Sequence, residues 1–585
     1  MRFSVLRRIE ETARAHGDLV AMEEGARRLT YAGLVECLRR AGRQGLAVSR
    51  PGLVGITARP SIEAGIGILA AMASGDVAVP IDERLPPARR QALLDWCDVA
   101  HDREAISAIL ADVAGTPPAP GAASCIAARA ERQPAYVSFT SGTTGEPKAI
   151  EGTMEGIDHF MAWQSDLVGE WIDRPRVSWL TPLSFDVMYR DLLLPLCTQG
   201  TLVIPDGGAG FNIASGWHWL VGQGIDIAHV VPSIMGAWLA GGDLPRLPAA
   251  VLFFAGEPLK RRLVEDLKCR FSGRVYNLYG PSETTMAKFC RRIDDDCPTS
   301  GGLYPVGRPI DEAVAYELAK DGEVAIRSPF LTNGYRKKDG TVTPFPAASP
   351  GWRAYETGDR GEVIDGELYL LGRIDGQMKV NGIRIEAGEV ERLAEGCAGI
   401  ARAVVVKLMP PEAPHETLAL FYQGAADREA DLRAHLAARL HPAVVPTLFD
   451  ALASFPVTIN GKVDRRALAA LAIGRFAAAS GHEAGDEAGG EVGETPPGEA
   501  ARHVQAVISK VLRRPCGMDT DFVGIGGNSL MSGLIALELE ASFGIPLPQE
   551  LFYRAGTPRA IARWLEENGG IYRPPVDEAK GRPAP

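Results

Sequence analysis

The chain has 585 residues, 46% of them hydrophobic, and its 62 Lys and Arg against 73 Asp and Glu give a net charge of −11. That length exceeds one ordinary domain and permits substantial cores, and the acidic balance speaks against a nucleic-acid-binding surface. No run of eighteen apolar residues marks a membrane span, and the nine scattered cysteines, with no C-x-x-C pair and no histidine cluster beside them, read as reduced thiols of a cytoplasmic protein rather than zinc ligands.

The N-terminal stretch Met1-Arg2-Phe3-Ser4-Val5-Leu6-Arg7-Arg8 lacks the apolar core of a signal peptide. Through residue 360, segments rich in Val, Ile and Leu alternate with longer amphipathic ones, which predicts α/β architecture. Arg176 to Leu180, Thr201 to Ile204 and Val251 to Phe254 read as short strands, and Arg261 to Arg270 as a helix. Residues 376–470 carry strand and helix signals of their own. From Ala477 to Glu499 the composition shifts to Gly, Ala, Glu and Pro, a stretch that cannot bury a core and reads as a flexible linker. The last fifteen residues, with Pro574-Pro575 and Pro583-Ala584-Pro585, read as a disordered tail, and no internal repeat is present.

Two short stretches carry chemistry. In Thr140-Ser141-Gly142-Thr143-Thr144-Gly145-Glu146-Pro147-Lys148, small hydroxylated residues and glycines let backbone N–H groups wrap an anion, and Lys148 adds a mobile charge. It is not a Walker loop, because G-x-x-x-x-G-K-[ST] is absent. Near the C-terminus, Gly526-Gly527-Asn528-Ser529-Leu530 sets a serine between a glycine pair and an apolar helix. A hydroxyl there stands at a helix N-terminus, where a phosphate ester is electrostatically favoured. On the pentapeptide alone, an ordinary N-cap serine explains it equally well.

The nonapeptide resembles the phosphate-binding loop of the adenylate-forming superfamily, which includes peptide synthetase adenylation domains, acyl-CoA synthetases and luciferases. The likeness extends in order through most of the first 470 residues. Leu29-Thr30-Tyr31 and Gly75 to Asp82 match early structural motifs, and Asn277 to Thr285 matches the nucleotide motif. The resemblance implies that Thr140, Ser141, Gly142, Thr143, Thr144, Gly145, Lys148 and Thr284 hold ATP, that Tyr279 stacks on adenine, and that Glu283 helps hold Mg²⁺. It further implies that Asp359 binds the ribose hydroxyls, that Arg373 serves the nucleotide, that Asp375 is a hinge, and that Lys462 is catalytic. Carboxylate attack on the α-phosphate brings two anions together, so positioning and charge neutralisation dominate. The block after Asp375 would rotate between the two half-reactions, taking Lys462 out and bringing Gly382 to Glu386 toward the thiol channel.

Asp519 to Leu530 resembles the phosphopantetheine attachment motif of carrier proteins, although many members have His or Asp where this chain has Asn528. The implied architecture is an α/β adenylate-forming subdomain (1–374), a small mobile α+β subdomain (375–473), a linker (474–496), an all-α four-helix peptidyl carrier (497–570) and a tail (571–585).

Phe185-Asp186 resembles the pair that opens the amino-acid pocket of nonribosomal peptide synthetases, where Asp186 would bind the α-ammonium. A capped helix start is the plain alternative. The remaining pocket positions map to Val187, Arg190, Val230, Phe253, Ala255, Leu278, Met286 and Ala287. Arg190 departs from the many relatives with an uncharged residue there, although pockets for aminoadipate carry arginine. A buried arginine is expensive unless an anion meets it. That anion is either a second substrate carboxylate or a neighbour, Asp186 or Asp191.

The expected protein is a free-standing adenylation–thiolation didomain that uses ATP, Mg²⁺ and 4′-phosphopantetheine. A phosphopantetheinyl transferase would prime it, and a downstream synthetase or tailoring enzyme would take its product in trans. An MbtH-like accessory protein fits the family, though no residue demands one. Rival expectations are an acyl-loading ligase for a non-amino acid, activation of a small aliphatic amino acid, and a non-catalytic carrier.

Overall fold

The computed structural model describes residues 3–43, 52–110, 124–127, 130–140, 147–206, 215–239, 244–374, 377–380, 383–408, 416–425, 428–441, 444–456, 463–480, 498–512, 516–520, 522, 529–545, 547–548, 551–554 and 556–572. Ser141 to Gly145, Asp375, Lys462, Asn528, most of the expected linker and most of the expected tail lie outside the described residues. The chain divides into two compact units, one formed mainly by residues 1–206 and 217–390 and the other mainly by 391–437 and 441–585.

The first unit is built on two large sheets. One has seven strands, with Val77–Asp82, Leu53–Ala58 and Val99–Asp102 parallel at one end and Lys148–Thr153 antiparallel to Pro134–Thr140. Its interior strand Val77–Asp82 is buried at every position, as expected of a parallel strand covered on both faces. The helix Ile62–Ser74 is apolar almost all round and buried throughout most of its length. The Ser61 hydroxyl caps its start by accepting from Ala64 N at 3.1 Å, and Gly75 ends it at φ 90°, where a side chain would be strained.

The nine-stranded sheet places Thr201–Ile204, Arg176–Ser178, Ile227–Val230, Val251–Phe254 and Arg274–Tyr279 side by side and parallel. Two of the three expected strands have the bounds read from sequence, and the first stops two residues early. The helix expected from Arg261 ends at Lys268. A third, five-stranded sheet pairs Trp352–Ile364 with Glu367–Arg373, setting Asp359 opposite Arg373.

The second unit contains an antiparallel pair, Arg402–Leu408 with Thr417–Gln423, extended by the parallel strand Leu448–Ala451. Leu468 and Ala472 of the helix Arg465–Ser480 share an apolar cluster with Val404, Val406 and Phe421. Four helices follow among the described residues: Glu499–Leu512, Ser529–Phe543, Leu551–Arg554 and Pro558–Glu567. Val504, Ile508, Phe522, Ile535, Leu539, Phe552, Ile561 and Leu565 form their common core. No described helix is long and apolar enough to cross a membrane.

Candidate active site and carrier serine

Tyr279 ends its strand with the phenol donating to Asp359 Oδ2 at 2.6 Å. Arg373 Nη1 donates to Asp359 Oδ1 at 3.0 Å and to Thr357 O at 2.9 Å. Burial, then the Asp359 charge, pushes the Tyr279 phenol far above its ordinary value, so it remains a donor. The three residues assigned to the nucleotide therefore meet in one cluster. A carboxylate offers about four lone-pair sites, so Asp359 keeps acceptor capacity for a pair of hydroxyls.

Glu283 lies in the short turn Ser282–Thr284 and is fully buried. Tyr335 donates its phenol to Glu283 Oε1 at 2.8 Å, and Thr332 anchors the Glu283 carbonyl through its amide at 3.1 Å and its hydroxyl at 2.8 Å. Thr284 uses its hydroxyl proton on Pro281 O at 2.8 Å. No cluster of three or more metal-ligating side chains exists among the described residues. One held carboxylate fits Mg²⁺, which is characteristically bound through one or two carboxylates plus substrate phosphates. Lys148 Nζ lies 3.4 Å from Glu386 Oε1, so the strands Lys148–Thr153 and Ile383–Glu386 are ion-paired.

Asp186 precedes the helix Met188–Cys197 and is buried. Ser282 Oγ donates to its Oδ1 at 2.6 Å, and Met286 N approaches Oδ2 at 3.4 Å. Burial pushes the carboxyl up, against those two hydrogen bonds. A carboxylate so placed gains from an incoming ammonium. Thr285 and Met286 hold φ of 62° and 55°, two successive left-handed residues that turn the loop onto Asp186.

Arg190 is 4% exposed. Its Nε stands 3.7 Å from Asp191 Oδ1, an ion pair beyond hydrogen-bond reach. Its Nε is buried without an aligned hydrogen bond. Burial holds the guanidinium below its ordinary value, opposed by Asp191 and Asp186.

Phe253, Leu278, Met286 and Ala287 share one apolar cluster, with Ala255 packed against it. Val187 occupies the N-cap position of the Arg190 helix and makes no side-chain capping hydrogen bond. Val230 does not join them: it packs with Ala228, Leu252 and Phe254 in a separate cluster. Strand alternation is the reason, since His229 pairs in register with Phe253 and stacks on it with ring centroids 5.0 Å apart. His229, not Val230, is the residue of this strand on the Phe253 face.

A second buried cation, Lys288, follows the pocket loop. It is fully buried, with Nζ 3.5 Å from His159 Nδ1, and His159 Nε2 lies 2.7 Å from Asp311 Oδ2. Burial pushes Lys288 down to about 7. The folded chain thus binds fewer protons than the unfolded chain from about pH 7 to about pH 10, and stability rises with pH across that window. Lys288→Met should therefore raise the melting temperature at pH 7, by at least about 2 °C. The advantage should shrink toward about pH 9.5, where the wild-type lysine is neutral in the folded chain. Circular-dichroism melts at both pH values check this.

Ser529 is the first residue of the helix Ser529–Phe543, as its sequence predicts. Met531, Ile535, Ala536, Leu539 and Phe543 of that helix are buried in the four-helix core.

Residues 9–336 match the AMP-binding enzyme family, and residues 502–565 match the phosphopantetheine attachment site family. Tyrocidine synthase 2 of Brevibacillus parabrevis is 30% identical across 96% of the chain, which spans 16% of that relative. Phosphinothricin tripeptide synthetase PhsC of Streptomyces viridochromogenes is 31% identical across 95% of the chain, which spans 52% of it. The chain thus covers only part of these longer relatives. Among solved structures, holo-PA1221, an NRPS protein containing adenylation and PCP domains bound to a vinylsulfonamide inhibitor, has the same fold. Its TM-score is 0.74, with 23% identity and 97% of each chain covered. The chain belongs to the AMP-binding enzyme family and carries a phosphopantetheine attachment region after it, an order similar to that in the nonribosomal peptide synthetases it matches.

Proposed function

We propose that the chain activates an amino acid with ATP as aminoacyl-AMP and loads it as a thioester on its own carrier at Ser529, and that Arg190 reads a second carboxylate on that acid. Asp186 would hold the α-ammonium and so orient the α-carboxylate toward the α-phosphate. Asp359, steadied by Tyr279 and Arg373, would fix the ribose. Mg²⁺ held through Glu283 would neutralise phosphate charge. Lys462 would do the same at the reacting carboxylate, a role suited to a mobile point charge on a flexible stem. The phosphopantetheine on Ser529 would supply the thiol that accepts the acyl group. The helix that Ser529 opens favours a phosphate ester at its N-terminus. A phosphopantetheinyl transferase is required for priming, and a downstream synthetase or tailoring activity would consume the thioester.

The observation that carries the side-chain reading is the buried guanidinium of Arg190, whose Nε has no aligned hydrogen bond. A planar fork of donors recognises carboxylate bidentately. Asp191 at 3.7 Å favours a second reading, in which Arg190 is already neutralised and the acid is small and aliphatic. Substrate-dependent ATP–pyrophosphate exchange separates them. Asp, Glu or 2-aminoadipate should support exchange, and Arg190→Met should lower kcat/KM for the active acid by about 100-fold. Strong exchange with Leu or Val and none with the dicarboxylic acids would sink the first reading.

A further inference from the structure

One arginine outside the motifs bonds through both its backbone and every nitrogen of its side chain. Arg132 stands just before the strand Pro134–Thr140, at whose end the Thr140 to Lys148 motif begins. Its backbone is held at φ 56°, a left-handed conformation that is uncommon for a residue with a side chain and persists only where the surroundings over-determine it. Its amide donates to Glu155 Oε1 at 2.9 Å, and its carbonyl accepts from Asn333 Nδ2 at 3.0 Å. The guanidinium then donates into the single segment 329–333. Nη1 reaches Pro329 O at 2.8 Å, Nη2 reaches Leu331 O at 3.0 Å and Thr332 O at 3.3 Å, and Nε reaches Asn333 Oδ1 at 3.2 Å.

That segment anchors Glu283. Thr332 gives the Glu283 carbonyl both its amide, at 3.1 Å, and its hydroxyl, at 2.8 Å. Tyr335 donates to the Glu283 carboxylate at 2.8 Å from the short strand Gly334–Arg336. This strand pairs antiparallel with Lys148–Thr153, Arg336 lying opposite Ala149. Asn333 and Arg336 both donate to the Glu151 carboxylate of Lys148–Thr153, at 2.9 and 2.6 Å. The Glu283 carboxylate and the Lys148 end of the glycine-rich motif therefore stand on one frame, and the Arg132 fork pins the loop that leads into it.

We propose that Arg132 is a positioning residue for the metal-bound nucleotide: its fork fixes the backbone that carries Thr332 and Tyr335, and so aims the Glu283 carboxylate at the Mg²⁺ of ATP. It acts through Glu283 and is assigned no contact of its own with metal or nucleotide. A carboxylate that must meet a small cation in near-octahedral geometry tolerates little play. Partners that orient a metal ligand typically change metal affinity by about 10- to 100-fold when they are lost. The loop presents three carbonyls and one side-chain oxygen to Arg132, and guanidinium answers them with five N–H donors held in one plane. The left-handed turn at Arg132 is strain stored beside the site, offset by the hydrogen bonds that the turn makes possible.

This inference rests on the reading of Glu283 as the carboxylate that holds the metal, and its test separates the two. Equilibrium dialysis of the full chain with α,β-methylene ATP, in EDTA and in Mn²⁺, gives the factor by which a divalent ion tightens the nucleotide. Mn²⁺ takes the same oxygen ligands as Mg²⁺, and no turnover is involved. In Glu283→Gln that factor should fall by at least about tenfold. In Arg132→Met it should fall about tenfold, while the metal-free Kd stays within about twofold. Arg132→Lys keeps the charge but not the planar fork, and should lower the factor about threefold. It decides the matter if Arg132→Met does not fold. A purely structural role lowers the melting temperature and leaves the factor at its wild-type value. Loss of the factor in Glu283→Gln but not in the Arg132 variant overturns the inference and leaves the reading intact. An unchanged factor in Glu283→Gln overturns both.

Discussion

Asp186→Ala should lower kcat/KM for the activated amino acid by roughly 150-fold, or about 3 kcal/mol, while KM for ATP changes little. The carboxylate is buried, held by Ser282 and approached by Met286 N, and burial already works against its charge. An ammonium arriving there relieves that cost, and alanine removes the partner. The sharper readout is the ratio between the amino acid and its des-amino analogue. Wild type should prefer the amino acid strongly, and Asp186→Ala should bring the two close together. Unchanged exchange in Asp186→Ala would favour the acyl-loading alternative, in which the acid carries no amine.

The second large effect is expected at Asp359. Asp359→Ala should raise KM for ATP by about 30- to 150-fold, the equivalent of about 2–3 kcal/mol for lost hydrogen bonds to a charged acceptor. Wild type should discriminate against 2′-deoxyATP, and the variant should not. Because Asp359 also ties Tyr279 to Arg373, a melting curve must accompany the kinetics. A variant that folds normally and retains 2′-hydroxyl discrimination would show that Asp359 serves only the internal network.

Motif spacing made the Tyr279–Asp359–Arg373 cluster legible, because each residue sits in a short, dense signature and the fold brings them within hydrogen-bond reach. The strands Thr201–Ile204 and Val251–Phe254 were legible because their apolar runs end cleanly. The residues read as an acid pocket were brought together only in part: Val230 lies on the opposite strand face from Phe253, beside which His229 sits, because in a strand one residue changes the face. The alternation Ile227, His229 against Ala228, Val230 held the necessary signal once a register with Phe253 was known. Lys288 gave no sequence signal at all, since its partners His159 and Asp311 come from distant segments and meet it only in the folded chain. The same holds for Gln164, which reaches His229 from a helix 65 residues earlier.

The central claim joins the two families in one chain: what the AMP-binding region activates, Ser529 receives. Intact-mass analysis of the phosphopantetheinylated protein, incubated with ATP and pooled amino acids, tests it most directly. The account predicts a mass increment equal to one amino acid residue, dependent on ATP, absent in Ser529→Ala and released by hydroxylamine, which cleaves a thioester. Ser529→Ala should still catalyse ATP–pyrophosphate exchange. No increment with any acid, or an increment that persists in Ser529→Ala, would contradict it.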